Sequence, residues 1–312
     1  MTFSRTSLAD KASWLEVSLQ VSQEQAEAVA EILGRFTQEG VVIEQLTKEN
    51  NLSSVPILQN SVKVFGYLFA DEEVEERKIQ LEESLWHLSQ IQPVSAPTYR
   101  LIHDQDWMSA WKKQYRPLKV GKKLAILPAW AENTFPERIP IRINPGMAFG
   151  TGTHPTTQLC LEMMESKVQP GQYIFDIGCG SGILSAAAIK LGADRVYGVD
   201  ISAAALASSA ENADLNQVRE KIELFKGSVS EIIGGCFGIL QAPLVIANIL
   251  ASVILRLFDD GLAELVKPGG FLILSGILTP KISEVSFKAE AFGLQLVEQL
   301  EIDDWTALGL QK

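Results

Sequence analysis

The chain has 312 residues, 46% of them hydrophobic and 21% charged, enough for two domains that each bury a core. Its net charge of −11 argues against gripping nucleic acid by phosphate neutralisation, and suits a basic protein partner instead. Residues Met1 to Trp14 lack the apolar core of a signal peptide, and no apolar run reaches the roughly 18 residues of a membrane span. Three widely spaced cysteines (Cys160, Cys179, Cys236) and only three histidines argue against a disulfide framework or a zinc site, so a reducing cytoplasm is expected.

Leu15, Val17, Leu19 and Val21 alternate with polar residues, the period of a half-buried strand. Residues 23–39 carry a helical stripe of Ala26, Val29, Ala30 and Leu33 and stop at Gly40. Val41–Ile43 and Val62–Phe69 read as two more strands. Asp71–Gln90 reads as a second amphipathic helix, with Val74, Leu81, Leu85 and Leu88 on its apolar side, and Thr98–Ile102 as a last strand. The order βαββαβ predicts a small ferredoxin-like α+β domain, placed at residues 1–95. Pro93 and Pro97 punctuate its end, and residues 96–121 are expected to be a linker with a helix. Trp107 and Trp111 share one face of that helix, either packing between domains or touching substrate.

From residue 122 to 312 the expected class is α/β. Tyr173–Ile177, Arg195–Val199, Lys221–Phe225, Pro243–Ile249 and Phe271–Ile277 are short apolar strands, separated by helices near 182–191, 202–213, 251–265 and 280–291. That alternation predicts a doubly wound, Rossmann-like, mostly parallel sheet. Leu294–Glu301 and Trp305–Leu310 are too close in sequence for a helical crossover. They predict an antiparallel edge hairpin turning at Asp303-Asp304 and bring the sheet to seven strands.

Open α/β sheets bind ligands at the carboxyl ends of strands where the strand order reverses. The run Asp176-Ile177-Gly178-Cys179-Gly180-Ser181-Gly182 sits at such an end and leads into a helix. Its glycines let backbone approach a ligand closely. They fall at every second residue, unlike the dinucleotide fingerprint, whose third glycine position is Ile183 here. Asp176 directly before the loop suits a ligand with an ammonium and a sulfonium better than one with a pyrophosphate. Asp200, ending the next strand, can accept from both hydroxyls of a ribose, or it can simply cap the following helix.

Two further segments narrow the reading: Asn144-Pro145-Gly146-Met147-Ala148-Phe149-Gly150-Thr151-Gly152-Thr153-His154-Pro155-Thr156-Thr157, and Ala247-Asn248-Ile249-Leu250. With the Asp176 loop, they closely resemble the PrmA family, the S-adenosylmethionine-dependent methyltransferases of ribosomal protein L-eleven. The resemblance extends to the Trp107/Trp111 linker, to Pro128-Ala129-Trp130 and to the Trp305-Thr306-Ala307-Leu308 segment. It implies a substrate-recognition domain at residues 1–95 and a methyltransferase domain at 122–312. It also implies trimethylation of lysines and of the N-terminal amine on the free ribosomal protein. Carried over by position, the cofactor contacts are Thr157, Gly178, Asp200 and Asn248; the loop adds Asp176 and Gly180.

Three residues are candidates for the catalytic side: Asn248, Phe149 and His154. Phe149 either closes over the sulfonium or packs in the core; His154 is either catalytic or orders its loop. Thr156 and Thr157 could instead serve as helix caps. Methyl transfer from a sulfonium is an in-line displacement that needs no metal, only alignment and exclusion of water. Holding a lysine with a pKa of about 10.4 neutral at pH 7 costs roughly 4.6 kcal/mol. No motif commits to a general base, so the carbonyl of Asn248 is expected to orient the deprotonated amine. Enzymes that methylate planar amides or bases commonly carry Asn-Pro-Pro-Tyr here, whereas this chain has Asn248-Ile249-Leu250-Ala251. That favours a flexible aliphatic amine over a planar amide or base; a same-fold methyltransferase acting on another protein lysine or a nucleic-acid amine, and a non-catalytic binding module, stay as alternatives. A monomer with no direct nucleic-acid or membrane contact is expected.

Overall fold

A computed structural model of the chain describes residues 13–37, 41–45, 61–71, 73–90, 93–103, 116–144 and 152–312. Two compact units divide it, Met1–Tyr115 and Arg116–Lys312.

The first unit is a four-stranded antiparallel sheet with order β2-β3-β1-β4: β1 is Ser13–Ser22, β2 Val41–Gln45, β3 Ser61–Phe69 and β4 Thr98–His103. The alternation expected of β1 buries Val17, Leu19 and Val21, paired across β3 with Gly66, Val64 and Val62. The helix Gln23–Phe36 packs on β3 and on the helix Val74–Ser89, and buries Ala26, Val29, Ala30 and Leu33. It ends before the predicted Gly40, because Thr37 turns to extended backbone and its hydroxyl donates to the Leu33 carbonyl at 3.0 Å. β4 lies beyond residue 95 and pairs with β1, so the first unit's sheet takes in part of the expected linker. Trp107 and Trp111 lie outside the described residues.

The second unit opens with a three-stranded sheet that hydrophobic pattern did not reveal: β5 (Leu118–Val120), β6 (Leu124–Pro128) and β7 (Ile139–Ile143). β6 is apolar and buried along its whole length, so it carries no alternation to read. The carboxylate of Glu165 ties the β5–β6 turn to the helix Pro155–Lys167, accepting the backbone N–H groups of Lys122, Lys123 and Leu124 at 2.7–3.0 Å.

The main sheet has seven strands in the order β10-β9-β8-β11-β12-β14-β13. β8 (Tyr173–Ile177), β9 (Arg195–Asp200), β10 (Ile222–Lys226), β11 (Ala242–Asn248) and β12 (Val266–Leu278) are parallel. β13 (Gln295–Ile302) and β14 (Trp305–Gln311) form the expected edge hairpin, in which Asp303 takes a φ of +54°. The doubly wound α/β fold is therefore observed. Phe175, Ile177, Val245 and Ala247 bury one face against Ile254, Phe258 and Val285 from the helices Ala251–Asp259 and Ile282–Ala291. On the other face lie the helices Pro155–Lys167, Ile183–Lys190 and Ala203–Leu215. The helix expected over 251–265 is interrupted: Gly261, at φ +100°, separates Ala251–Asp259 from a 3-10 turn at Leu262–Leu265. Strand order reverses between β8 and β11, which fixes where a ligand crevice belongs.

Candidate functional site

The loop after β8 explains its alternating glycines. Gly178, Gly180 and Gly182 all have positive φ, at +69°, +53° and +74°. Two of them also lack room: a Cβ on Gly178 would lie 2.7 Å from Cγ2 of Ile249, and one on Gly182 would lie 2.9 Å from the Cα of Ser209. The backbone N–H groups of Gly178 and Cys179 both donate to the Val199 carbonyl, folding the loop over the end of β9. There the N–H of Gly180 donates to Oδ2 of Asp200 at 2.9 Å.

Asp200 also accepts from the N–H of Ser202 through Oδ1 at 2.9 Å. The cap of the following helix is Ser202, whose hydroxyl accepts from the N–H of Ala205. Asp200 is therefore not spent on capping. The backbone N–H of Ile201 also reaches this carboxylate, and of its four lone-pair sites at least one is left for a ligand. Burial raises its carboxyl above the ordinary range, while the backbone N–H groups pull the other way.

Asp176 is buried next to the loop. Its Oδ2 accepts from the hydroxyl of Ser185 at 2.6 Å, while its Oδ1 has no hydrogen-bond partner among the described residues. Burial pushes its carboxyl up to about 6. Ser185 escapes notice in the sequence, although its one signal is there: it is the polar residue on an otherwise apolar helical turn.

At the end of β11, Asn248 is also buried. Its Nδ2 donates to Oγ1 of Thr157 at 3.4 Å, and its Oδ1 likewise has no partner among the described residues. Thr157 stands in the first turn of the helix Pro155–Lys167. That turn is pinned to β12 by Ser275, whose hydroxyl donates to the carbonyl of Thr156 at 3.0 Å. Ser275 pairs with Asn248 in the sheet, so one strand holds both partners of this contact. Ser275 escapes notice too, although a serine within Leu272-Ile273-Leu274 and Gly276-Ile277-Leu278 is a visible anomaly.

Thr157, Asp176, Gly178, Gly180, Asp200 and Asn248 thus meet at the carboxyl ends of β8, β9 and β11, where the strand order reverses. His154 sits at the helix N-cap, where its Nδ1 accepts from the N–H of Thr156 at 3.3 Å and lies 2.8 Å from the Thr156 hydroxyl. Its ring packs edge-on to Trp305, with centroids 4.9 Å apart. Phe149 lies outside the described residues.

A family model described as ribosomal protein L11 methyltransferase (PrmA) matches residues 13–312. A protein named ribosomal protein L11 methyltransferase from Chloroflexus aurantiacus is 39% identical, covering 95% of this chain and 97% of its own. One of the same name from Caldanaerobacter subterraneus subsp. tengcongensis is 37% identical, covering 96% and 99%. Among solved structures, the crystal structure of a ribosomal protein L11 methylase from Lactobacillus delbrueckii subsp. bulgaricus matches with a TM-score of 0.56. It is 33% identical and covers 63% of this chain and 98% of that one.

Proposed function

Because the chain belongs to the ribosomal protein L11 methyltransferase (PrmA) family, we propose that it methylates amines of ribosomal protein L11 with S-adenosylmethionine as donor. The amines are lysine side chains and the N-terminal α-amino group, carried to the trimethyl stage. The observation that carries this reading is the pair of partnerless buried acceptors, Asp176 Oδ1 and Asn248 Oδ1, at the ends of adjacent strands.

The site fits the donor molecule on three counts. Asp176 offers a buried carboxylate oxygen to a cation, where a pyrophosphate would be repelled. Asp200 keeps acceptor capacity at the strand end for a ribose hydroxyl. The loop carries no side chain at Gly178, Gly180 or Gly182, so its backbone can approach a ligand closely. Thr157, Asp176, Gly178, Gly180, Asp200 and Asn248 are the residues that would hold it. When bound, S-adenosylmethionine supplies an electrophilic methyl group.

The chain's own part is orientation. An amine enters the crevice after losing its proton to water, at a cost of about 4.6 kcal/mol for a lysine at pH 7. Asn248 Oδ1 then accepts an N–H of the neutral amine and aims its lone pair, while the hydroxyl of Thr157 holds the carboxamide plane. Acceptor recognition falls to the first unit, whose sheet includes β4 beyond residue 95, and transfer to the second. The reaction takes place in the cytoplasm on the free ribosomal protein; no helix among the described residues is long and apolar enough to cross a membrane.

The test is incubation of the full chain with methyl-labelled S-adenosylmethionine and a panel of purified ribosomal proteins and RNA, followed by mass spectrometry of labelled products. Label confined to L11 lysines and its N-terminus is the expected result. Label in another protein or in RNA would move the acceptor assignment, and binding without label would remove the enzymatic one.

A further inference from the structure

Asn248 is poorly fixed by its own hydrogen bonds. The bond to Thr157 spans 3.4 Å, at the outer limit for such a contact, and Oδ1 makes none among the described residues. An orienting carboxamide nevertheless has to be held. The loop beyond it also lacks the prolines that could stiffen it.

The next residue supplies the constraint. The backbone N–H of Ile249 donates to the Ser275 carbonyl at 3.1 Å. Its own carbonyl rests against Gly276, where a Cβ would overlap it and where φ is +84°. β12 loses register with β14 between Leu274 and Ile277, so the Ser275-Gly276 backbone departs from the regular ladder at this point. On the other side, Cγ2 of Ile249 sits where Gly178 has no Cβ. Ile249 is thus wedged between two glycines, one on the ligand loop and one on β12. A β-branched side chain has a stiff χ1, which makes it a firm spacer.

We propose that Ile249 is a positioning residue for the transfer: its branch methyl Cγ2, seated against Gly178, sets the separation between the glycine loop and the carboxamide of Asn248. The inference rests on the methyl-transfer reading of this crevice.

The test compares Ile249→Leu, which keeps the volume but loses the branch at Cβ, with Ile249→Val, which keeps it, both in the full chain. The first readout is the pair of side-chain amide resonances of Asn248, which needs no acceptor. The others are calorimetric affinity for S-adenosylhomocysteine and the split between kcat and KM. The leucine variant is expected to move the Asn248 resonances and to lower kcat at least about tenfold, with affinity and KM held within about threefold. The valine variant should keep the resonances and recover most of the turnover. If the two variants behave alike, or if leucine changes only affinity, the inference is overturned. Should the leucine variant not fold, Ile249→Thr, which retains Cγ2, must exceed Ile249→Ala in kcat; equal rates would overturn it as well. Because the resonances are read without acceptor, a wrong acceptor assignment leaves this result standing.

Discussion

Asp176 and Asn248 end adjacent parallel strands, and each presents one buried oxygen with no hydrogen-bond partner among the described residues. Register pairs Asp176 with Ile246, so Asn248 lies two residues further along the same edge. Buried polar atoms are nearly always satisfied, and each exception costs about 1–3 kcal/mol. Two such exceptions side by side, where the order of the parallel strands reverses, are the feature on which the proposed ligand site rests.

Asn248→Ala tests that division of labour. The change removes an unsatisfied acceptor and only one long hydrogen bond, so thermal stability should stay level or rise. Loss of an orienting polar group should lower turnover by roughly 100-fold or more, while the dissociation constant for S-adenosylmethionine changes by no more than about fivefold. Calorimetry and single-turnover rates separate the two. A loss that lies wholly in cofactor affinity would reassign Asn248 to binding.

The carboxyl of Asp176 predicts an unusual pH dependence in the ligand-free protein. Burial raises it from 3.8 to about 6, against the pull of the Ser185 hydroxyl and with a push from Asp200. A carboxyl raised on folding contributes stability that is complete below its unfolded pKa and is lost as pH climbs through its folded one. The loss therefore runs from about pH 4 to about pH 6 and then levels, amounting to about 3 kcal/mol at 1.36 kcal/mol per unit. Asp176→Asn has no such loss. Urea unfolding across this range should show the variant gaining on the native chain as pH rises, with a plateau above about 6. A gap that does not change with pH would refute the assignment.

Much of this fold is legible in the chain because the relevant signals are local. β1 sets its apolar residues on one face and shows it as alternation, and the hairpin of β13 and β14 follows from a connection too short to cross over. The glycines at every second residue of the loop after β8 fall on three positive-φ positions. What stays hidden is long-range or lacks contrast. β6 is buried throughout and has no period. Ser185, Ser275 and Glu165 act on groups 9, 119 and about 40 residues away, and nothing near them in sequence names those partners. The wedge at Ile249 needs two glycines nearly 100 residues apart in the chain, as 178 and 276 are.

Two glycines with similar backbone conformations should respond very differently to alanine. Gly235 has φ +86° and nothing within 4 Å of a would-be Cβ, so Gly235→Ala should cost only left-handed strain, about 1–2 kcal/mol. Gly182 has φ +74° and would drive its Cβ into Ser209, adding an overpacking cost of about 1–3 kcal/mol. Chemical denaturation of both variants measures the difference, and equal losses would show that the helix carrying Ser209 yields freely.

His154 separates capping from catalysis. Its Nδ1 serves the first turn of the helix that carries Thr157. Asparagine caps well and alanine does not, a difference of about 0.5–2 kcal/mol. If capping is its task, His154→Asn should keep turnover within a few-fold and His154→Ala should lose stability first. Were both variants to lose activity about 100-fold with stability intact, His154 would belong to the reaction instead.

The proposed acceptor-recognition role of the first unit has a candidate surface. Ile79 and Trp86 are both 58% exposed on the helix Val74–Ser89, seven residues apart and so on one face. Glu75, Glu76, Glu82 and Glu83 stand around them, exposed, with Lys78 bonded to Glu75. A large exposed aromatic in an acidic surround suits a lysine-bearing partner, with the ring as anchor and the carboxylates steering approach. Trp86→Ala should therefore raise KM for ribosomal protein L11 about tenfold, leaving cofactor affinity and kcat in place. Replacing Glu82 and Glu83 by Gln should flatten the rise of KM with salt, because fewer charges are left to screen. Initial rates at two salt concentrations with the full-length acceptor decide it, and unchanged KM in all variants would move acceptor docking to another face of the unit.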